Sequence, residues 1–205
     1  MSHADEPEQQ PAGGAQRELA VLGGSFDPPH IGHLFLATYA LSIGSVARVL
    51  VAPTFEHAFG KPLSDFDHRL RMCELAFAPL RNVEVSPIER ELGGTSRTLR
   101  LLTSLAARYP DEGLRLLVGA DILLESHRWQ HFDEIRRLAP LLSASRAGYA
   151  PLAAPNAEAP ALILPEVSSS EVRRALSRGG DVSAWLPASV RAYVRTHGLY
   201  APEQP

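Results

Sequence analysis

Apolar runs of strand length alternate with apolar runs of helix length along most of the chain. Buried-strand patterns ended by glycine, proline or polar residues occur at 19–24, 46–52, 83–88, 114–119, 141–145 and 161–164. Helix patterns occur at 31–41, about 65–80, 98–109, 129–138, 169–177 and 187–197. This alternation predicts an α/β fold with a Rossmann-like, doubly wound, mainly parallel sheet and helices on both faces.

The 205-residue chain is long enough for one domain with a sizeable core and short for two. The first 18 residues, MSHADEPEQQPAGGAQRE, are polar and show no apolar period. We expect residues 1–18 to form a disordered tail, since they lack the basic and apolar regions of a signal peptide. Residues 19–205 are expected to form a single domain, and no apolar stretch in them reaches the length of a membrane span.

Charge and cysteine content limit the classes of partner. The net charge is −3, so no broad basic field favours nucleic acid or an anionic membrane, and phosphate must be bound by a local site. The single cysteine, Cys73, cannot form an internal disulfide, which fits a reducing cytoplasm. Because Cys73 lies in an apolar helical run, we expect core packing rather than nucleophilic chemistry. The sequence leaves open whether the chain forms a homo-oligomer.

The most informative segment, GGSFDPPHIGH at 23–33, joins the first predicted strand to the first predicted helix. Gly23 and Gly24 let the backbone approach a phosphate and present N–H groups to it. His30 and His33 share one face at the positive end of the helix, so charge that develops on phosphoryl oxygens can be stabilised there. A glycine turn followed by two capping histidines is the structural alternative, and it explains only the glycines. Zinc is disfavoured, because no cysteine or third histidine is suitably spaced nearby.

This segment is similar to the GGxFDPxHxGH signature of nicotinate-nucleotide adenylyltransferases, in the HxGH nucleotidyltransferase superfamily. The resemblance implies that AMP passes from ATP to nicotinic acid mononucleotide, with Mg²⁺ as cofactor. It also implies that His30 and His33 are catalytic and that ATP contacts Gly23, Gly24, Ser25 and Phe26. The letters HIGH also occur in class I aminoacyl-tRNA synthetases, but the chain is too short for a synthetase and has no KMSKS-like segment.

A second motif, VSSSEVR, leads from the last predicted strand into a helix. It resembles the ISSTxIR segment of the same superfamily, with Ser170 in place of threonine. The resemblance implies that Ser169 and Ser170 hold the outer phosphates of ATP and that Arg173 is catalytic, with a guanidinium that can fork onto phosphate oxygens. A capping box of Ser168 and Glu171 is the structural alternative. Both can hold, because a capped helix end is also an anion site.

Weaker matches follow the fourth and fifth predicted strands. Gly119-Ala-Asp121 resembles the family's GAD, in which the acid is associated with nucleotide binding. The SASRAGY segment resembles the RPGY motif, with Arg146 near the adenine and Ala147 in place of the proline. Trp129 matches the tryptophan that stacks on the pyridine ring, an interaction of about 1–3 kcal/mol. A core aromatic is the structural alternative for Trp129.

The GTSRT segment at 94–98 resembles the family's SYT motif, which contacts the acceptor. It implies acceptor contacts from Ser96, Arg97 and Thr98, with Arg97 in place of the motif's aromatic residue. The family also has a PPHK- or PPHR-like loop after the second strand, whereas this chain has the longer PTFEHAFGKP at 53–62. These departures fall on the acceptor side more than on the ATP side.

Lys61 is the only lysine in the chain, since the other 19 of the 20 basic residues are arginine. Lysine supplies a movable point charge that suits a phosphate whose geometry changes during reaction. We therefore expect Lys61 to be catalytic and to replace the lysine of the family loop. An ordinary surface lysine is the structural alternative.

Two alternatives to transfer onto nicotinic acid mononucleotide remain open. The first keeps the chemistry and changes the acceptor to nicotinamide mononucleotide, phosphopantetheine or an alcohol phosphate. The second is a non-catalytic nucleotide-binding module with a relic site, which the retention of both histidines, Arg173 and Lys61 disfavours. Release of pyrophosphate from ATP separates the two alternatives.

Overall fold

The computed structural model describes residues 17–43, 45–119, 129–146 and 163–201, apart from the side chains of 145, 146 and 163. Its strands within these ranges are β1 (Glu18–Gly24), β2 (Val46–Pro53), β3 (Val83–Val85), β4 (Gly113–Gly119), β5 (Leu141–Arg146) and β6 (Ile163–Leu164). The helices there are α1 (Ile31–Leu41), α2 (Phe66–Phe77), α3 (Ile88–Leu92), α4 (Thr98–Arg108), α5 (Phe132–Leu138), α6 (Ser169–Leu176) and α7 (Ala188–Thr196). No helix in the described ranges is both long and apolar enough to cross a membrane.

The six strands form one sheet in the order β3-β2-β1-β4-β5-β6, and each neighbouring pair is parallel. The first strand, β1, lies in the middle of the sheet, and later strands are added on both sides of it, which confirms the predicted doubly wound fold. The switch in direction lies between β1 and β4, and ligands of such sheets bind at the carboxyl ends of the strands near this point. The pairing of Gly24 with Pro53 places the ends of β1 and β2 side by side there.

The core has two layers, one on each face of the sheet. Successive residues of β1 serve opposite faces: Ala20 and Leu22 pack with α1, α2, α6 and α7, whereas Leu19 and Val21 pack with α3, α4 and α5. All four are at most 3% exposed. A strand buried on both faces has no polar alternation, which explains the continuous apolar run in the sequence.

Several element bounds differ from the sequence-based predictions for local reasons. The strand predicted at 83–88 ends at Val85, because Pro87 cannot donate to a sheet and Ile88 begins α3. The helix predicted from 129 begins at Phe132, since His131 has a left-handed backbone with φ 61°. Residues 1–16 of the predicted tail lie outside the described residues. Glu18, which was predicted to belong to the tail, is the first residue of β1.

Candidate active site

The two histidines of the 23–33 segment lie stacked at the start of α1. His30 is the N-cap residue, with an extended backbone at φ −133°, and is 4% exposed. Its ring centroid is 3.8 Å from that of His33, with 34° between the ring planes. The backbone N–H of His30 donates to Nδ1 of His33 at 3.0 Å. The positive end of the helix and the two imidazoles therefore occupy one small site, as the sequence predicts.

Close packing beneath the histidines explains the small residues in this segment. A Cβ added to Gly32 would lie 3.1 Å from Nδ1 and Cε1 of His30, so any side chain there would displace the ring. Phe26 has a left-handed φ of 48°. Its buried ring packs against that of His33, with 4.8 Å between the ring centroids. A Cβ at Gly24 would meet the Phe26 ring at 3.3 Å, whereas one at Gly23 would meet nothing within 4 Å. Gly23 therefore leaves open space beside the loop.

Asp27 is 2% exposed and forms hydrogen bonds with three other parts of the chain. Its Oδ1 accepts a hydrogen bond from the Tyr200 hydroxyl at 2.7 Å, and its Oδ2 accepts one from the Ser64 N–H at 3.3 Å. The Asp27 carbonyl accepts a bond from Nη1 of Arg173 at 2.6 Å, and the same nitrogen lies 3.7 Å from Oδ2. The sequence analysis assigned no role to Asp27.

The second motif is joined directly to the first. The Ser169 hydroxyl donates to the Pro28 carbonyl at 2.9 Å, and Nη2 of Arg173 donates to the Ser170 hydroxyl at 3.3 Å. The Ser168 hydroxyl accepts from the N–H of Glu171 at 3.2 Å, so the capping interaction is also present. The N-terminal turn of α6 therefore lies against the histidine loop, and the predicted capping interaction is confirmed, while phosphate binding by this motif stays a prediction.

Arg69 is a site residue that the sequence analysis missed. Arg69 is 1% exposed, and its guanidinium donates to backbone carbonyls in two loops: Ser64 (2.8 Å), Ser25 (3.0 Å), Thr54 (2.7 Å) and Phe55 (3.4 Å). Burial lowers the pKa of this side chain, and the nearby Asp27 carboxylate opposes that shift. The helical pattern of the sequence could have indicated that Arg69 is buried, because it lies on the same face of α2 as the apolar residues Phe66, Met72 and Cys73.

The predicted acceptor segment contacts the loop that follows β2. The Phe55 N–H donates to the Ser96 hydroxyl at 2.9 Å, and the Ser96 N–H donates to the Glu56 carbonyl at 2.9 Å. Ser96 is 8% exposed, so its hydroxyl faces the interior, whereas the neighbouring Arg97 is exposed. Thr98 begins α4. The segment therefore reaches the site through loop 54–56.

Glu89 lies beneath this segment, hydrogen-bonded to Ser96, and is 4% exposed. Burial raises the pKa of its carboxyl, and Ser96 and Arg100 oppose that shift. Its Oε2 has no hydrogen-bond partner among the described residues. This carboxyl was not identified from the sequence.

Lys61 and Trp129, which the sequence predicts to act on the substrates, lie in the loop after β2 and just before α5. Lys61 is exposed in the loop after β2, near His57, where burial and the lysine charge lower the pKa of the imidazole. Nδ1 of His57 accepts the Phe59 N–H at 3.2 Å. Trp129 is half-buried and packs edge-on against Phe132, with 6.0 Å between ring centroids.

The structure thus brings the two main motifs together, whereas some of the predicted site residues lie outside the described part of the chain. The residues joined around the histidine loop are Gly23, Gly24, Ser25, Phe26, His30, His33, Ser169, Ser170 and Arg173. Gly119 ends β4 at the same edge of the sheet. Asp121 and the side chain of Arg146 lie outside the described residues. Cys73 is fully buried, and burial raises its pKa well above the ordinary value, as expected for core packing.

Comparison with known proteins places this geometry among nucleotidyltransferases. A cytidylyltransferase-like family model matches residues 21–175. A probable nicotinate-nucleotide adenylyltransferase of Anaeromyxobacter dehalogenans (strain 2CP-1) is 44% identical over 188 residues, covering 90% of this chain and 97% of the relative. One of Myxococcus xanthus is 42% identical over 184 residues, covering 89% and 94%.

A solved structure has the same fold. It is the Plasmodium falciparum nicotinic acid mononucleotide adenylyltransferase complexed with NaAD, with a TM-score of 0.74 and 16% sequence identity. The match covers 90% of this chain and 97% of that one.

Proposed function

Since the chain belongs to the nicotinate-nucleotide adenylyltransferases, within the cytidylyltransferase-like family, we propose that it transfers AMP from ATP to nicotinic acid mononucleotide. The products are deamido-NAD and pyrophosphate, in NAD biosynthesis. The observation that carries the proposal is the contact of Arg173 and Ser169 with the loop that ends in the stacked histidines.

The ATP side of the reaction is assigned to this loop and to α6. The α-phosphate lies against the N–H groups of Gly23 and Gly24 and against His33, while Ser170 and Arg173 hold the outer phosphates. These groups are held in place before the substrate arrives, and such preorganised donors stabilise charge as it develops. Three further assignments complete the ATP site. The hydroxyl of Ser169 ties the helix to the loop, Gly119 and Asp121 take part in nucleotide binding, and Arg146 is assigned to the adenine.

The reaction needs no covalent enzyme intermediate, because the acceptor phosphate is already a nucleophile. One of its oxygens forms a bond to the α-phosphorus in line with the leaving group. The bond from that phosphorus to the oxygen bridging to the β-phosphate breaks, and pyrophosphate leaves with the electron pair. The protein contributes positioning and charge stabilisation.

We further propose that ATP is used as its Mg²⁺ complex. Mg²⁺ usually keeps several waters and is bound through substrate phosphates with few protein ligands, so the nucleotide itself would supply most of its coordination.

The acceptor side is assigned to the loop after β2, the 94–98 segment and Trp129. Lys61 contacts the phosphate of the mononucleotide, and Trp129 stacks on the pyridine ring. Arg97 and Thr98 face the acceptor, while Ser96, whose hydroxyl is used by Phe55, shapes the segment. The buried, unpaired Cys73 fits a reaction in the cytoplasm.

Pyrophosphate release tests the proposal directly. The enzyme is assayed with ATP and Mg²⁺, with nicotinic acid mononucleotide and nicotinamide mononucleotide in parallel. We expect a strong preference for the acid form. Activity with neither acceptor, despite measurable ATP binding, would contradict the proposed function.

The role of Trp129 has its own test. Replacing Trp129 with leucine removes a stack of about 1–3 kcal/mol, so the KM of the acceptor should rise about 10-fold or more while the KM of ATP stays constant. Trp129→Phe should retain most of the affinity. The matched control is Trp185→Phe, which changes the other tryptophan, half-buried against the opposite core layer. An unchanged acceptor KM in Trp129→Leu would remove the residue from the binding site.

A further inference from the structure

A tyrosine from the far end of the chain reaches into the histidine loop. Tyr200 lies 173 positions after Asp27, and its hydroxyl donates to Oδ1 of that carboxylate at 2.7 Å. Its backbone has a left-handed φ of 60°, which is uncommon and costly for a bulky residue. Residues in such conformations persist where surrounding contacts hold them, and they concentrate at functional sites.

The bond matters because Asp27 is itself the support of Arg173. The carbonyl of Asp27 accepts Nη1 of Arg173 at 2.6 Å, and its carboxylate lies 3.7 Å from the same nitrogen. Asp27 also begins the short stretch that leads to His30. We propose that Tyr200 is a positioning residue for adenylyl transfer: its hydroxyl fixes the Asp27 carboxylate and thereby orients Arg173 toward the outer phosphates of ATP. This inference rests on the proposed function.

The charges around Asp27 indicate what happens without the hydroxyl. The carboxylate is 2% exposed and faces the guanidinium groups of Arg173 and Arg69, the Ser64 N–H and the Tyr200 phenol. Burial and the Asp27 charge both raise the pKa of Tyr200, so the phenol stays protonated and remains a donor. If that donor is lost, Oδ1 loses its hydrogen bond to Tyr200 in a site nearly closed to water, where an unsatisfied acceptor is costly. The carboxylate then turns toward Arg173 and draws its guanidinium away from the substrate.

Tyr200→Phe isolates this effect, because it removes the hydroxyl and keeps the ring that packs against the core. The matched control is Tyr193→Phe, whose hydroxyl lies 2.9 Å from Nδ1 of His68 between α7 and α2. Both variants lose a phenol hydroxyl, but only the hydroxyl of Tyr200 contacts the histidine loop, where it bonds Asp27. It also forms a hydrogen bond with the Ser64 side chain. We expect kcat/KM for ATP to fall by about 10- to 100-fold in Tyr200→Phe, the cost of a small misplacement in an active site. The KM of the acceptor should stay constant in both variants.

A double-mutant cycle with Arg173→Lys distinguishes this role from a loss of stability. It measures whether the effects of the two substitutions on kcat/KM for ATP are additive. If Tyr200 acts through Arg173, the two substitutions are strongly non-additive, so Tyr200→Phe costs little in the Arg173→Lys background. Additive effects would overturn the inference, as would normal kinetics in Tyr200→Phe. If Tyr200→Phe does not fold, Asp27→Asn keeps the side-chain shape, removes the charge, and should give the same fall in kcat/KM for ATP with an unchanged acceptor KM. An unaltered kcat/KM for ATP in Asp27→Asn would also overturn the inference.

Failure of this inference is distinguishable from failure of the proposed function. A wild-type protein that releases no pyrophosphate with nicotinic acid mononucleotide contradicts the proposed function. An active wild-type protein whose Tyr200→Phe and Tyr193→Phe variants behave alike contradicts only the role of Tyr200.

Discussion

Nδ1 of His33 lies 3.0 Å from the backbone nitrogen of His30, which donates its N–H to that ring atom. A neutral imidazole that accepts at Nδ1 carries its proton on Nε2. His33 therefore presents an N–H donor from its far side without needing a positive charge. The peptide group of the neighbouring histidine sets this tautomer, which links the local helix start to the proposed stabilisation of the α-phosphate.

Replacing His33 with alanine removes this donor. We expect kcat to fall by about 10²–10³, the loss typical of one oriented donor in a site where charge develops. The measurement is steady-state pyrophosphate release together with thermal unfolding. His68→Gln is the control. His68 also lies on a helix, hydrogen-bonded to Tyr193, and a glutamine in its place can still form a hydrogen bond with that hydroxyl. A folded His33→Ala variant with a near-normal rate would contradict the catalytic assignment.

Replacing Gly23 with alanine tests the approach of the phosphate to the loop. The added Cβ meets no atom within 4 Å, so the free energy of unfolding should change little. A bound phosphate would meet it, and the KM of ATP should rise about 10-fold, or ~1.4 kcal/mol. Gly32→Ala provides the contrast, because its Cβ would push on the His30 ring and should lower kcat instead. A Gly23→Ala variant that binds ATP normally argues against the phosphate lying there.

Replacing Arg69 with methionine leaves buried carbonyls of two loops without their donor. Breaking a buried charged network in this way costs about 3–5 kcal/mol, which should appear in urea unfolding. Arg69→Lys should recover part of the loss, since one ammonium cannot reproduce the planar fork. Arg71→Met is the control on the same helix, because the Arg71 side chain is 54% exposed and pairs with Glu74, one turn further along the helix. Equal stabilities of Arg69→Met and Arg71→Met would show that the buried network contributes nothing.

The buried carboxyl of Glu89 should make stability depend on pH. Burial raises its pKa above the ordinary 4.5, so the folded protein holds the proton more tightly than the unfolded chain. The stabilisation is complete below pH 4.5 and is lost as the pH rises through the raised value. In urea unfolding, Glu89→Gln should therefore gain stability relative to wild type as the pH increases. Glu91→Gln, on the exposed side of the same helix, should show no such trend.

The pKa of His57 reports on the position of Lys61. Burial is the larger cause of its lowering and the lysine charge the smaller one. In Lys61→Met, an NMR titration should show the His57 pKa moving part of the way up toward 6.5. The same variant should raise the KM of the acceptor, whereas Lys61→Arg, which keeps the charge, should leave the His57 pKa lowered. A constant His57 pKa in Lys61→Met would place the lysine elsewhere.

Much of the fold is local enough to be predicted from the sequence. The bounds of α1 are those predicted, because its apolar run starts after the capping His30 and its pattern ends with Leu41. Asp65 caps α2 at the start of the predicted helix pattern, with Oδ1 accepting the Asp67 N–H at 2.8 Å. The short α3 was missed, since five residues carry too little helical pattern to separate them from the end of a strand.

The sequence by itself determined the alternation of elements, the doubly wound sheet and the pairing of His30 with His33, because each depends on residues close together in the chain. Only the tertiary structure decided which groups support them. Arg69 binds carbonyls of two loops that come together because β1 and β2 pair in parallel, and Tyr200 reaches Asp27 across 173 positions. A sequence shows the chemistry of a side chain, but the backbone and side-chain groups that it bonds in a buried site come together only once the strands have paired and the chain has folded.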